Sequence, residues 1–158
     1  MKSRSLVLLL RVFFIFAFFH LLLFAGQSHE RLYDEYFLEA SKEYSLPPLL
    51  LKKIATVESD LNPDMIYQNK NGTKDYGIMQ INTIHIDELR YVGINEKNIM
   101  NPRINIHVAA KILSNLISQY GFNFEAIGRY HSNTPRFKEK WNNRLIQELK
   151  KELIQSKR

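Results

Sequence analysis

The sequence predicts a single, mainly α-helical domain with one small loop or β-ribbon region set within it. Three observations predict this. Apolar residues recur at helical spacing over 31–59 and again over 103–153. Proline, glycine and asparagine fall between these stretches, where they would start or stop a helix. Residues 60–82 lose the helical period and collect turn formers: Asn62-Pro63, Asn69, Asn71-Gly72 and Asp75. At 158 residues the chain is long enough for one domain and hardly for two.

The first 28 residues read as targeting rather than fold. Lys2 and Arg4 precede the apolar runs Leu6–Leu10, Val12–Phe19 and Leu21–Ala25, and small residues follow at Gly26 and Ser28. That is the layout of a secretory signal peptide, with cleavage expected after Ser28 and Ala25 as the second choice. An uncleaved membrane anchor competes, because the run is close to the roughly 20 residues that span a bilayer. Arg11 and His20 interrupt it, which favours cleavage. Either way residues 29–158 are expected on the outer side of the inner membrane, in the periplasm. Half of the formal charge of +6 resides in Lys2, Arg4 and Arg11 and would leave with the segment. The modest positive balance that remains suits an anionic polymer but does not make a nucleic-acid groove. There is no cysteine. The exported domain therefore has neither a disulfide nor a lipoprotein attachment site, and packing alone must hold it.

The elements follow in order. Leu32, Tyr36, Phe37, Ala40 and Tyr44 line one face of a first helix over 31–44. Ser45-Leu46-Pro47-Pro48 breaks it, and Ser45 is the candidate to start the next helix, which runs to about Ser59 and holds Glu58 in its last turn. After the 60–82 loop, Thr83–Tyr91 reads as a short helix. Over 103–120, Ile106, Ala109, Ala110, Leu113, Leu116, Ile117 and Tyr120 make a broad apolar face, and Gly121 is a natural stop. Asn123 caps a short helix through Tyr130. Pro135 opens a last helix with Phe137, Trp141, Leu145, Leu149 and Leu153 on its inner face. Lys138, Lys140, Arg144 and Lys151 are expected on its opposite face, which reads as solvated rather than as a binding patch.

Three blocks carry possible chemistry: Ile54-Ala55-Thr56-Val57-Glu58-Ser59-Asp60-Leu61-Asn62-Pro63, then Gly77-Ile78-Met79-Gln80-Ile81-Asn82, then Ala126-Ile127-Gly128-Arg129-Tyr130-His131-Ser132-Asn133-Thr134-Pro135. A carboxyl at an apolar helix end is favoured in its protonated, proton-donating form. Read alone, Glu58 would just as well end a helix in solvent. In the second block glycine permits close backbone approach, Met79 offers an adaptable apolar wall, and Gln80 and Asn82 offer amides suited to N-acetyl and hydroxyl groups. Ile78 and Ile81 are equally good core residues.

Together and in this order the blocks resemble the soluble lytic transglycosylase family, relatives of goose-type lysozyme, over roughly residues 33–146. The hexapeptide matches the family's glycine–aliphatic–Met-Gln–aliphatic–Asn signature. The third block departs from the usual Tyr-Asn-Ala-Gly. It resembles instead a specialised branch encoded with type III and type IV secretion, conjugation or pilus systems, as does the polar run Asn69–Asp75.

The resemblance implies a lysozyme-like fold with a groove between two lobes, and no metal or cofactor. Five histidines without paired ligand spacing agree with that. It further implies glycan strands of peptidoglycan as substrate and subunits of an envelope machine as partners. Carried over by position, it makes Glu58 the catalytic acid and Ser59, Gly77, Ile78, Met79, Gln80, Asn82 and Tyr130 substrate-contacting. A tyrosine at position 130 would hydrogen-bond near the glutamate. One glutamate suffices in this family because the C6 hydroxyl of N-acetylmuramic acid attacks, giving a 1,6-anhydro sugar.

Two other readings stay open. A hydrolytic muramidase would need a second carboxylate to hold water, and Asp60, Asp64 and Asp75 are the candidates. Goose-type lysozymes carry aspartate where this motif ends in Asn82, which favours the lyase. A non-catalytic glycan-binding scaffold is opposed by a glutamate kept at the acid position. His131 has no role that the sequence assigns.

Overall fold

The computed structural model describes Arg11, Ile15 and residues 33–155. The expected signal segment, 1–28, lies outside the described residues but for Arg11 and Ile15. Among the described residues no helix is long and apolar enough to cross a membrane. The chain divides into two compact units, Met1–Asp34 and Glu35–Arg158, and the candidate site lies in the second.

A helix covering residues 33–44 (α1) comes first, and it buries Phe37, Ala40 and Ser41 at helical spacing. Ser45 does not start the next helix. It sits at φ 55° and closes α1: the Leu46 N–H reaches back to the Ser41 carbonyl at 3.1 Å, and Leu46 itself is buried. That is a left-handed helix stop with its apolar contact. Helix α2 (Pro48–Ser59) instead begins at Pro47 with no side-chain cap, its Pro48 fitting the first turn, where no N–H is needed. It buries Leu50, Leu51, Ile54, Ala55 and Val57. It stops abruptly because Asp60 and Leu61 both adopt left-handed conformations.

The loop region forms a three-stranded antiparallel sheet: β1 (Ile66–Gln68), β2 (Lys74–Tyr76) and β3 (Ile81–Asn82), in that spatial order. Tyr67 faces Asp75 across the first pair, and Asp75 faces Asn82 across the second. Asn82 caps α3 (Thr83–Leu89) by accepting from the Ile84 N–H, and a 3₁₀ turn (Arg90–Val92) follows.

Asn101 caps α4 (Pro102–Tyr120), and Asn123 caps α5 (Phe124–His131). Helix α6 (Pro135–Gln155) packs on α2 and on α5, and α5 packs on α4. The apolar stripe of α6 is shorter than its pattern predicts. Trp141 and Leu145 are buried, whereas Phe137 and Leu153 are more than half exposed. Its basic face is also only partly solvated. Lys138 bonds Glu125 of α5, and the Arg144 guanidinium donates to the Val57 carbonyl of α2 at 2.9 Å. These two cations fasten α6 to its neighbours.

The architecture, mostly helical with a small antiparallel sheet, is the fold class that the sequence predicts.

Candidate active site

Glu58 stands in the last turn of α2, and its neighbour Ser59 ties that turn to the glycine block. The Ser59 hydroxyl donates to the Ile78 carbonyl at 2.7 Å and accepts from the Asn62 N–H at 3.1 Å. The block is a tight turn. Gly77 lies at φ 75° and Gln80 at φ 50°. The Gln80 side chain closes the turn by donating to the Gly77 carbonyl at 2.8 Å and the Met65 carbonyl at 3.2 Å. A Cβ at Gly77 would come within 2.7 Å of the Asn105 amide, so glycine is required here by space as well as by φ.

Asn105, fully buried in α4, braces the same turn. Its Oδ1 accepts from the Met79 N–H at 2.7 Å, and its Nδ2 donates to the Tyr76 carbonyl at 2.8 Å and the Ile99 carbonyl at 3.0 Å. From α5, the Tyr130 hydroxyl donates to the Met79 carbonyl at 2.7 Å. The phenol thus bonds the turn rather than the Glu58 carboxyl. Burial pushes Tyr130 well above the ordinary phenol range, and the charges of Glu58 and Asp75 push in the same direction. It therefore stays a neutral donor.

The Glu58 side chain is only 10% exposed. Its Oε1 lies 3.3 Å from Nδ1 of His131, whose ring stacks on Trp141 with centroids 5.6 Å apart and planes 7° from parallel. Glu58 and Ser59 line a cavity of about 500 Å³, together with Thr56, Val57, Asp60, Met65, Arg144, Gln147 and Glu148.

A family model described as the transglycosylase SLT domain matches residues 35–154. The chain belongs to this family. It is similar to Protein IpgF of Shigella flexneri, with 42% identity over 103 residues, 65% of this chain and 68% of that protein. It is similar to Invasion protein IagB of Salmonella typhi, with 41% identity over 98 residues, 61% of each chain. A peptidoglycan-binding-like protein of Escherichia coli O157:H7 is 39% identical over 104 residues, 61% of this chain and 62% of that protein.

Within this SLT domain the residues singled out by sequence do not all meet at one spot. Glu58 and Ser59 line the cavity. Ile78 and Met79 have fully buried side chains, and Gly77 and Gln80 shape the turn that carries them. Asn82 is spoken for at the sheet. Its Nδ2 donates to Asp75 Oδ1 at 2.6 Å and to Thr73 Oγ1 at 3.1 Å, while its Oδ1 caps α3. The other oxygen of Asp75 accepts from Asn69 at 2.8 Å. Of the three candidate second carboxylates, Asp60 lines the cavity, Asp75 is gripped by two amides, and Asp64 is exposed. Among the described residues no group of three or more His, Asp or Glu side chains is placed to hold a metal ion.

Sequence reasoning missed Asn105, the contact of His131 with Glu58, and Arg144 in the cavity wall. The signal for Asn105 was available. It falls four residues before Ala109 and eight before Leu113, a polar residue on an otherwise apolar face. No pattern marks the other two, because each depends on how α5 and α6 meet α2.

Proposed function

We propose that this chain is a lytic transglycosylase of peptidoglycan, cleaving the β-1,4 bond between N-acetylmuramic acid and N-acetylglucosamine. The observation that carries the reading is the Glu58 carboxyl. It is nine-tenths buried, at the wall of a cavity of about 500 Å³, at the acid position of an SLT domain. The relative named as peptidoglycan-binding-like supports the choice of polymer.

In this mechanism protonated Glu58 gives its proton to the glycosidic oxygen as the bond to C1 breaks. The C6 hydroxyl of the same muramic acid then attacks C1, and the Glu58 carboxylate takes up the hydroxyl proton. The products are a new 4-hydroxyl end and a 1,6-anhydro end. The enzyme returns to its starting state and no water is consumed. The work would be done in the periplasm. The relative named as an invasion protein supports the narrower reading that wall opening serves an envelope-spanning export machine.

One observation favours a second reading, the hydrolytic muramidase. Asp75 is held rigidly by Asn69 and Asn82, and its charge, like that of Glu58, is felt at Tyr130. A second carboxylate is what water activation requires.

Mass spectrometry of soluble products from purified peptidoglycan, digested with the full chain and with Glu58→Gln, tests both readings. The proposal expects anhydro-muropeptides from the wild type and none from the variant. Reducing ends, heavier by one water, would replace the lyase with the muramidase. Undiminished release by Glu58→Gln would remove Glu58 from the mechanism.

A further inference from the structure

We propose that His131 is a positioning residue that determines which oxygen of Glu58 carries the acidic proton. The proposal rests on the reading of Glu58 as the acid, and it assigns a role to a residue that departs from the family's usual text.

The geometry is specific. His131 is the last residue of α5, and Glu58 is in the last turn of α2, so two helix ends meet here over α6. The ring of His131 lies flat on Trp141, which is 2% exposed and fixed in the core. Stacking fixes the plane of the imidazole and so the position of Nδ1, which lies 3.3 Å from Glu58 Oε1 as an ion-pair contact. The N–H is not aligned on Oε1 in the substrate-free chain, and catalytic contacts of this kind align and tighten when substrate is bound.

Little competes for Oε1. Around the pair, the Tyr130 hydroxyl is committed to the Met79 carbonyl, and Asp75 to Asn69 and Asn82. On α5, Arg129 is paired with Glu125. On α6, Lys138 also goes to Glu125, Arg144 to the Val57 carbonyl, and Glu148 to Lys151. Among the described residues Glu58 has no other hydrogen-bonding or ion-pair partner.

The chemistry follows from the donor. With Nδ1–H donating to Oε1, that oxygen is the carbonyl of the neutral acid and the proton resides on Oε2. The proton leaves from Oε2 to the glycosidic oxygen. As it leaves, negative charge grows on the carboxyl and the hydrogen bond to Oε1 strengthens. The C6 hydroxyl proton then returns to Oε2. His131 keeps its own proton throughout, so the step needs no further acid or base. A bond that strengthens only as charge develops acts on kcat rather than on KM.

Two variants separate this from a packing role. His131→Phe keeps a flat ring for Trp141 and removes the donor. His131→Asn restores an amide N–H at the same number of bonds from Cβ as Nδ1, and asparagine is the residue of the usual Tyr-Asn-Ala-Gly text. In the full chain, assayed for release from peptidoglycan, His131→Phe should lower kcat about 10- to 100-fold, the worth of one hydrogen bond to a charged group, with KM little changed. His131→Asn should recover most of that loss. Nitrogen NMR of histidine-labelled protein should find the Nδ1–H tautomer at His131 in the wild type and the Nε2–H tautomer in Glu58→Ala, where the acceptor is gone.

Equal losses in Phe and Asn, a change confined to KM, or an Nε2–H tautomer in the wild type would each overturn the proposal. If the wild type gave no anhydro product while the tautomer responded to Glu58→Ala, the lyase reading would fail and the His131–Glu58 contact would stand.

Discussion

Replacing Asn105 with alanine tests the brace behind the glycine block. The side chain is fully buried and makes three hydrogen bonds, all to backbone: from Met79 N–H, and to the carbonyls of Tyr76 and Ile99. Each such bond contributes about 1 kcal/mol net, so losing three costs about 3 kcal/mol. Two of the partners, Met79 and Ile99, are 0% exposed and Tyr76 is 5% exposed. Leaving their polar groups without partners raises the cost, to about 4–5 kcal/mol if no water enters. That is a large share of the 5–15 kcal/mol typical of a domain, and corresponds to a fall in Tm of roughly 10–20 °C.

Asn105→Asp should be at least as damaging. It keeps the shape but removes the donor and turns a carboxylate toward two carbonyls. Urea melts followed by circular dichroism measure the loss, with peptidoglycan release assayed well below the melt. Activity should fall there too, since Met79 also receives the Tyr130 bond near Glu58. An Asn105→Ala variant within about 1 kcal/mol of wild type, and fully active, would refute the claim that this amide fixes the turn.

Two further predictions follow from close packing and from titration. Gly128 of α5 faces α6, where a Cβ would come within 2.5 Å of Lys138 Cγ and 2.6 Å of the Asn142 amide. Gly128→Ala should therefore cost about 1–3 kcal/mol despite alanine's better helix propensity, and thermal melts should report it. The phenol of Tyr130 is raised above its ordinary 10.0 by burial, so its stabilising contribution is present below pH 10 and lost as pH rises beyond it. Tyr44, raised to about 12 by burial, and Tyr76 behave alike. Tyr130→Phe should be less stable than wild type at neutral pH, through loss of the Met79 bond, yet lose less on going from about pH 9 to about pH 12, as pH-dependent melts would show.

The fold was legible where a single element carries its own signal. The apolar spacing of α2 and α4, the stop at Gly121 and the cap at Asn123 are local, and all appear where the pattern puts them. Ser45 misled because serine is both a common helix start and tolerable in a left-handed stop, and only the return bond from Leu46 decides between them. The α6 stripe misled because its period continues past the surface that α2 and α5 offer, leaving Phe137 and Leu153 outside. Lys138 and Arg144 looked solvated for the converse reason: a cation on an outer face can still reach a carboxylate or carbonyl on a neighbouring helix.

Glu58 and the hexapeptide are the candidate residues that the sequence singles out, and the structure gives a physical reason for the hexapeptide's narrow choice of residues. Helix α2 donates to Ile78 through Ser59, α4 grips Met79 and Tyr76 through Asn105, and α5 donates to Met79 through Tyr130. Gln80 closes the turn on itself, and Asn82 locks its far end to Asp75 and α3. Three helices and the sheet thus converge on six residues. A glycine is needed where Asn105 approaches, buried side chains are needed at Ile78 and Met79, and amides are needed at Gln80 and Asn82. A segment under so many simultaneous demands admits few sequences. Because Ser59 is one of its anchors and Glu58 is the adjacent residue, a change in the turn acts on the helix end that bears Glu58. Damage at Gly77 or Asn105, neither of which lines the cavity, should therefore appear in catalysis as well as in stability.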